Sequence, residues 1–548
     1  MRSTMMQVPL SVNDLLERGK RLFGSREIVS RLPDGSFHRS DYATLHRRAR
    51  QLAAALRRAG VRPGDPVATL MWNHAWHLEA YFGIPAAGAV LHTVNLRLSP
   101  DDIAYILQDA GDRILIVDDV LMPLLEEVRR RVAIERVIVV CLTGAPVAAP
   151  FESYESFIAG DASDYRYPEQ DENAACGMCY TSGTTGRPKG VVHSHRSTVL
   201  HALSISIPDC LDLSCRDSVF AVTPMFHVNA WGVPFAAAMV GAKLCFPGPR
   251  LGAEDLLDIM QAEDVTLALG VPTIWMAIQQ ALDREPTRWE LRRGTRMMVG
   301  GSAAPPALIA AFERHGLRII HGWGMTELCP VGTLSWLKPE HAGLPEEQQY
   351  EVRARQGLPI PLMELRIQGD CGPQPWDGRS VGELQVRGPI VTGGYHNLPP
   401  DREKITDDGW FRTGDVATID PGGYMRISDR TKDLIKSGGE WISSVDLENA
   451  IMGHPGVAEA AVVAIRHPKW DERPLAVVVR RAGRDVTSGI CHFAKRGARN
   501  ARRSSGVTSS STRCPAPRRA NSSRRSCARG SAARCRARRT RRAHESDP

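Results

Sequence analysis

Tyr180-Thr-Ser-Gly-Thr-Thr-Gly-Arg-Pro-Lys-Gly190 is the stretch on which the reading of this chain turns. It places Gly183, Gly186 and Gly190, four aliphatic hydroxyls and Lys189 within eleven residues. Glycines let backbone N–H groups turn toward an anion, hydroxyls add donors, and a lysine adds a point charge. This is the composition of a phosphate-gripping loop. It is not a Walker A loop, because the G-x-x-x-x-G-K-[ST] spacing is absent. A turn of this composition also serves as a solvated hairpin, so its neighbours decide.

Outward from the loop, apolar runs at 67–71, 114–117 and 137–140 alternate with helical patterns. In residues 42–60, Leu45, Ala49, Leu52, Ala53 and Leu56 share one helical face, arginines take the other, and Gly60 is the stop. Beyond the loop, 267–271 and 297–300 are further strand candidates. Such alternation predicts parallel strands with crossover helices, an α/β fold. From Glu364 the texture changes to short alternating strands such as 383–387. Asp420-Pro-Gly-Gly423, between runs at 416–419 and 424–427, predicts a hairpin. A charged connector at 428–433 leads to a small α/β unit, with a helix at 445–452 and strands at 460–465 and 475–479.

The chain has 548 residues, too many for one ordinary core. No run of 18 uncharged apolar residues occurs, and the N-terminus lacks a signal peptide's apolar core, so no transmembrane segment and a cytoplasmic location are expected. The twelve cysteines are scattered in mostly apolar company and read as buried thiols. Cys176-x-x-Cys179 has no second pair or His-x-His partner, which argues against a metal or redox site. The net charge of +8 is uneven: residues 485–548 carry 16 Arg and Lys495 against Asp485, Glu545 and Asp547, leaving the body at −6. The tail's large apolar residues are Val486, Ile490, Phe493 and Val507, too few to offset its ordering entropy. The body makes no case for nucleic acid, and the tail has no tyrosine or tryptophan to stack on bases.

Five further clusters carry chemistry. Pro224-Met-Phe-His227 and Asn229-Ala-Trp231 set a histidine and a large ring beside an apolar wall. Gly300-Gly-Ser-Ala-Ala-Pro305 allows close backbone approach to a flat ligand. His321-Gly-Trp-Gly-Met-Thr-Glu327 combines a stackable ring, a hydroxyl and one carboxylate able to hold Mg²⁺. Trp410-Phe-Arg-Thr-Gly-Asp415 offers a carboxylate suited to ribose hydroxyls. Lys432 and Lys436 precede Ser437-Gly-Gly-Glu440.

In this order and spacing the clusters, together with Asp429-Arg-Thr-Lys-Asp433, resemble the AMP-forming acyl-CoA synthetases of the adenylate-forming superfamily over roughly residues 8–484. Met225-Phe-His-Val-Asn-Ala-Trp231 and Lys436-Ser-Gly-Gly-Glu-Trp-Ile-Ser443 resemble the medium/long-chain fatty acyl-CoA synthetase branch. The resemblance implies a large multi-subdomain adenylating domain at 1–428 and a small mobile α/β domain, here incomplete, at 429–484. Residues 485–548 are then a disordered basic tail that reads like a frameshifted translation. It implies ATP/AMP, Mg²⁺ and coenzyme A as cofactors and co-substrates, a fatty or other carboxylic acid as substrate, and leaves a homodimer open.

By position, Thr181, Ser182, Gly183, Thr184, Thr185, Gly186 and Lys189 would cradle the β,γ-phosphates, and Thr181 and Glu327 would hold Mg²⁺. Trp323 would stack on adenine, with Gly301, Ser302, Ala303, His321 and Gly322 lining that pocket. Thr326 would reach the α-phosphate and Asp415 and Arg430 the ribose, with Lys432 a further nucleotide contact. His227 would sit near the acyl carboxylate, with Trp231 and Gly301 on the acyl path. Lys436 and Trp441 would lie near the nucleotide and pantetheine, and Asp429 would be the hinge. One element of the pattern is missing: no Pro-x-Thr-x-x-Gly-Lys segment, whose lysine bridges carboxylate and α-phosphate, occurs in the chain. Adenylation is therefore expected to be impaired. Alternatives are a ligase for a short, branched, aryl or sulfur-containing acid such as methylmercaptopropionate, and a binder of nucleotide or acyl-adenylate without turnover.

Overall fold

The β-branched apolar runs become strands buried on both faces, as parallel sheets require. The computed structural model describes residues 1, 3–181, 187–401, 403–430, 435–437, 440–442, 444–452, 456–467, 471–480 and 508–510. They fall into two units, Met1–Leu365 with Val386–Phe411, and Arg366–Gln385 with Arg412–Pro548.

The first unit holds two sheets. One has the order Glu152–Ser153, Arg136–Val140, Ile114–Asp118, Pro66–Leu70, Val90–Thr93, Ala175–Tyr180, Gly190–Ser194. All its pairs are parallel except the last. The other runs Leu358–Pro359, Val331–Leu334, Arg318–Gly324, Arg296–Val299, Leu267–Gly270, Ser218–Ala221, Lys243–Phe246, Glu27–Arg31, Phe37–Asp41. Its strands from Arg318–Gly324 through Glu27–Arg31 are parallel. The predicted runs at 67–71, 114–117, 137–140, 267–271 and 297–300 thus all lie on strands, to within one residue at their ends.

Helix Tyr42–Arg58 forms where the periodicity places it. Asp41 accepts from Thr44 N–H at 2.7 Å at its start. Leu45, Ala49, Leu52, Ala53 and Leu56 are buried. Gly60 ends it in the left-handed region (φ +85°), with Gly60 N–H donating to Arg57 O at 3.0 Å and Val61 N–H to Leu56 O at 3.0 Å. One core beneath the nine-stranded sheet gathers Phe220, Trp275, Phe312 and Met297, all fully buried. Each such side chain contributes about 1.5–3 kcal/mol.

The second unit contains a five-stranded sheet in the order Gly372–Pro373, Glu364–Gly369, Gly382–Arg387, Phe411–Ile419, Met425–Arg430. The predicted hairpin is its last pair. A smaller sheet orders Glu440–Ile442, Ile435–Ser437, Asp471–Arg480, Val457–His467, and Thr508–Ser510 pairs with Asp471–Arg480. Helix Ser444–Met452 supplies Leu447 and Ile451 to its core. The two long strands outrun the predicted 460–465 and 475–479 because the ladder continues through polar residues to His467 opposite Asp471. Among the described residues no helix is long and apolar enough to cross a membrane. Cys176, Cys179, Cys210 and Cys245 are buried free thiols, as expected, whereas Cys215 and Cys371 are exposed.

Three histidines of the first unit are buried as neutral acceptors. His77 Nε2 accepts from Thr69 Oγ1 at 3.0 Å, His195 Nδ1 from Val12 N–H at 3.2 Å, and His201 Nε2 from Val331 N–H at 3.1 Å. Burial pushes them from 6.5 down to about 3, about 4 and about 3 respectively. Above pH 6.5 both folded and unfolded forms are neutral there. As pH falls through that value the unfolded chain takes up protons that the folded chain refuses, so each site removes about 1.4 kcal/mol of stability per pH unit. The first thermal transition should therefore drop steeply from pH 6.5 to 5 and not from pH 8 to 7. A flat melting temperature between pH 6.5 and 5 would refute this.

Candidate active site

The glycine-rich stretch joins two antiparallel edge strands. Tyr180 pairs with Gly190, Thr181 N–H donates to Lys189 O at 2.9 Å, and Lys189 N–H donates to Thr181 Oγ1 at 3.1 Å. The loop is thus pinched at its base. The expected phosphate contacts Ser182, Gly183, Thr184, Thr185 and Gly186 lie outside the described residues. Gly190 has no room for a side chain, since a Cβ there would lie 3.0 Å from both Tyr180 Cζ and His396 Cβ. The Lys189 ammonium stands 4.7 Å from the Tyr395 ring centroid and 3.4 Å from Asp401 Oδ2.

Most other candidates sit where parallel strands of the nine-stranded sheet end, the usual place for ligands in open α/β sheets. Gly301 follows Arg296–Val299 and adopts φ +83°, which a glycine tolerates. Ser302 and Ala303 come next. His321, on Arg318–Gly324, is fully buried; its ring hydrogen-bonds to Ala354 O at 2.9 Å and to the Ser302 backbone, and burial lowers its pKa. Gly322 faces Leu334, and a Cβ there would lie 2.9 Å from Leu334 Cδ2. The Trp323 ring lies over Gly332, where a Cβ would come within 2.7 Å of it. A β-bulge follows at Trp323/Gly324, and a Cβ on Gly324 would lie 2.0 Å from Pro330 O. That kink turns the chain into the short helix Thr326–Leu328.

Glu327 is buried there. Its Oε1 accepts from Tyr395 Oη at 2.8 Å and its carbonyl from Thr392 N–H at 2.8 Å. The Thr326 carbonyl accepts from His193 Nε2 at 3.0 Å, and His193 belongs to the strand that follows the glycine loop. Among the described residues no group of three or more His, Cys, Asp or Glu could hold a metal ion. A cation at Glu327 would take its remaining ligands from phosphate oxygens and water, which is how Mg²⁺ usually binds. The donor set fits Mg²⁺ delivered with a nucleotide.

His227 is half-buried, and burial with the nearby Arg97 guanidinium holds its pKa below the usual histidine value. It presents a neutral imidazole at pH 7. The next four residues are all left-handed: Val228 φ 44°, Asn229 φ 53°, Ala230 φ 47° and Trp231 φ 58°. Each non-glycine residue there costs roughly 1–2 kcal/mol. Asparagine tolerates the region, and Cys179 supports the turn. Its Sγ accepts from the Val228 and Asn229 N–H groups, donates to Asn229 Oδ1 at 3.5 Å, and lies 3.3 Å from Thr93 Oγ1. The turn lays Trp231 on Gly300, where a Cβ would lie 3.1 Å from the ring. Cys176 instead sits at the register shift between Ala175 and Gly177 and meets Thr198 Oγ1 at 3.4 Å. Burial pushes the Cys176 thiol up to about 12 and the Cys179 thiol up to about 11, so both stay protonated at neutral pH.

In the second unit Asp415 and Arg430 stand opposite each other in the hairpin, and Lys436 stands opposite Trp441 in the next. Asp429 is buried, and its Oδ2 accepts from Ser444 N–H at 2.6 Å. Lys432 lies outside the described residues. Sequence reasoning missed Tyr395, Asp401, His193 and Cys179. Only Gly393-Gly-Tyr-His-Asn397 hinted at the first of these, as a turn without visible purpose.

A glycine hairpin pinched at its base, with a buried carboxylate and an indole at strand ends, suits a nucleotide-using α/β enzyme. The chain belongs to the AMP-binding enzyme family, whose model matches residues 17–396; the AMP-binding enzyme C-terminal domain matches 446–499, running past Arg484. It is 53% identical over 481 residues to a long-chain-fatty-acid–CoA ligase of Thermus thermophilus (87% of this chain, 88% of that one). It is 45% identical over 489 residues to a 3-methylmercaptopropionyl-CoA ligase of Ruegeria pomeroyi (88% and 90%). A medium-chain-fatty-acid–CoA ligase of Ectopseudomonas oleovorans is 43% identical over 500 residues (90% and 91%). Among solved structures, an anthranilate CoA ligase in complex with anthranoyl-AMP superposes with TM-score 0.83 at 25% identity (98% and 100% covered). A fatty acyl CoA synthetase of Mycobacterium tuberculosis gives 0.69 at 27% identity (93% and 96%).

Removing the Cys179 thiol strips the left-handed turn of its acceptor. Cys179→Ala should lower stability by about 1–3 kcal/mol and, where Trp231 borders the acyl path, weaken fatty-acid binding about tenfold, with ATP binding changed less than about twofold. Calorimetric titration of each ligand checks this. Equal losses for both ligands would mean the thiol does not act through Trp231.

Proposed function

We propose that the chain is an ATP-dependent fatty acid–CoA ligase that forms acyl-CoA, AMP and pyrophosphate through an acyl-adenylate. The observation that carries this is the 53% identity, over 87% of the chain, with a long-chain-fatty-acid–CoA ligase. The acid's carboxylate attacks the α-phosphate of ATP, pyrophosphate leaves, and the CoA thiol then displaces AMP from the acyl carbon.

In this reading Thr181, Lys189 and the rest of the glycine hairpin grip the β,γ-phosphates, and Thr326 reaches the α-phosphate. Mg²⁺ held by Glu327 and Thr181 would neutralise charge growing on the leaving pyrophosphate. Trp323 stacks on adenine, with Gly301, Ser302, Ala303, His321 and Gly322 around it. Neutral His227 offers a hydrogen bond to the acyl carboxylate without neutralising it. Trp231, seated on Gly300, borders the acyl path. Asp415 and Arg430 bind the ribose, Lys432 and Lys436 the nucleotide, and Trp441 the pantetheine route. Asp429 is the hinge between residues 1–428 and 429–484. The protein works in the cytoplasm.

A second reading changes only the acid. The 45% identity with a 3-methylmercaptopropionyl-CoA ligase favours a small sulfur-containing acid. Binding of a C4–C18 fatty-acid series beside methylmercaptopropionate distinguishes the two. Preference for the small acid by tenfold or more would replace the fatty-acid reading.

Because no Pro-x-Thr-x-x-Gly-Lys segment is present, the two half-reactions should part company. ATP–pyrophosphate exchange with fatty acid should fall to about 1% or less of that of a relative carrying the lysine, as loss of one transition-state contact of this kind allows. CoA transfer from supplied acyl-adenylate should persist. Exchange at the relative's rate would show that the lysine is not needed.

A further inference from the structure

Residues 392–401 cross the base of the glycine hairpin and touch both sides of the phosphate site. His396 N–H donates to Gly190 O at 2.8 Å, and Thr392 N–H to Glu327 O at 2.8 Å. Asn397 Nδ2 donates to Asp109 O at 2.7 Å, and Tyr180 Oη donates to Asp109 Oδ2 at 2.7 Å. The segment is therefore fastened to the strand after the loop, to the Glu327 backbone, and to Asp109 of helix Pro100–Ala110, which Tyr180 of the strand before the loop also grips.

One side chain in it makes two contacts of different kinds. Tyr395 is 9% exposed. Its hydroxyl donates to Glu327 Oε1 at 2.8 Å, and its ring face lies 4.7 Å from the Lys189 ammonium. Asp401 takes the same ammonium from another side at 3.4 Å. Lysine is a flexible stem with a compact charge and needs to be aimed. A carboxylate that accepts a hydrogen bond from a neutral hydroxyl is held in a fixed orientation by it.

We propose that Tyr395 is a positioning residue that sets Lys189 and Glu327 for a magnesium-bound triphosphate, its ring aiming the ammonium and its hydroxyl orienting the metal-facing carboxylate. This rests on the reading of the protein as an ATP-dependent ligase. The two contacts separate by chemistry. Tyr395→Phe keeps the ring and removes the hydroxyl; Tyr395→Leu removes both.

The test is ATP affinity of the full chain by calorimetry, with Mg²⁺ and again with EDTA, beside a thermal melt of each variant. For Tyr395→Phe, affinity with Mg²⁺ should fall about tenfold, the scale of a hydrogen bond to a charged group, while affinity with EDTA stays within about twofold. For Tyr395→Leu, affinity with EDTA should also fall, by about threefold, the scale of a partly exposed cation–π contact. Equal losses in Tyr395→Phe with and without Mg²⁺ would reduce the hydroxyl to a packing role and overturn the proposal. So would unchanged Mg·ATP affinity, or tighter binding, which would mean that the hydroxyl competes with the cation. A wild-type chain whose ATP binding ignores Mg²⁺ would overturn both this role and the ligase reading. Should Tyr395→Leu fail to fold, the Tyr395→Phe comparison alone decides.

Discussion

A strand buried on both faces must dispose of its last backbone groups before the chain can open into a loop, because an unpaired N–H or C=O there goes unsolvated. Ala175–Tyr180 meets that constraint by folding back on Gly190–Ser194, so that an otherwise parallel sheet ends in an antiparallel pair. The reciprocal bonds between Thr181 and Lys189 then close the loop's neck. Much of the first unit's functional geometry follows. Tyr180 and Gly190 give the crossing segment 392–401 its footing, His193 reaches Thr326, and Cys179 reaches the turn at 228–231. A phosphate loop built on a hairpin lacks the helix dipole that a strand–loop–helix loop uses. If the hairpin grips phosphate as proposed, its positive charge has to come from a lysine, and Tyr395 and Asp401 flank the Lys189 ammonium.

The turn at Val228–Trp231 shows how strain is held in one place. Four successive left-handed residues, only one of them an asparagine, would unwind in a free peptide. The surrounding contacts over-determine them: the thiol below, Gly232 against His201, and Gly300 under the indole. Gly300 and Gly232 are best understood as volume left for two rings, rather than as flexible joints. Displacing the Trp231 ring would also disturb a turn whose support is the strand leading into the glycine hairpin. The turn that carries Trp231 and the neck of the glycine hairpin thus share one strand.

Local rules carried the fold a long way. The 3.6-residue period with Gly60 as a stop located Tyr42–Arg58, and apolar β-branched runs located the parallel strands. Asp420-Pro-Gly-Gly423 located the last hairpin of its sheet. Motif chemistry located the residues that line strand ends, because glycine, carboxylate and ring at those spacings have few other uses. What stayed illegible is non-local. Nothing in Gly393-Gly-Tyr-His-Asn397 says that its tyrosine will meet a glutamate 68 residues earlier. Cys179 looked like one half of a C-x-x-C, but its thiol is taken up by the turn at 228–231, while Cys176, at a register shift of the strand, meets Thr198. The left-handed turn has no sequence signature beyond Asn229, since tertiary contacts rather than propensity hold it.

The second unit bears on where a pivot at Asp429 would have to act. Val416 pairs with Asp429 and Ala417 with Ile427, so Ser428 is the inserted residue of a β-bulge. One position later, the Asp429 carboxylate accepts from Ser444 N–H at the start of helix Ser444–Met452, a charge-assisted bond favoured by the helix's positive end. That bond makes Asp429 travel with the helix. A turn about this point would therefore be taken up in the backbone dihedrals at Ser428 and on the N-terminal side of Asp429, where the ladder already shifts register. It would also have to part Asp415 from Arg430, which face each other across the same hairpin. If those two residues share the ribose, nucleotide would hold the hairpin closed at its open end and bias the pivot toward the pose in which both contacts are made. Release of AMP would then be the event that frees it.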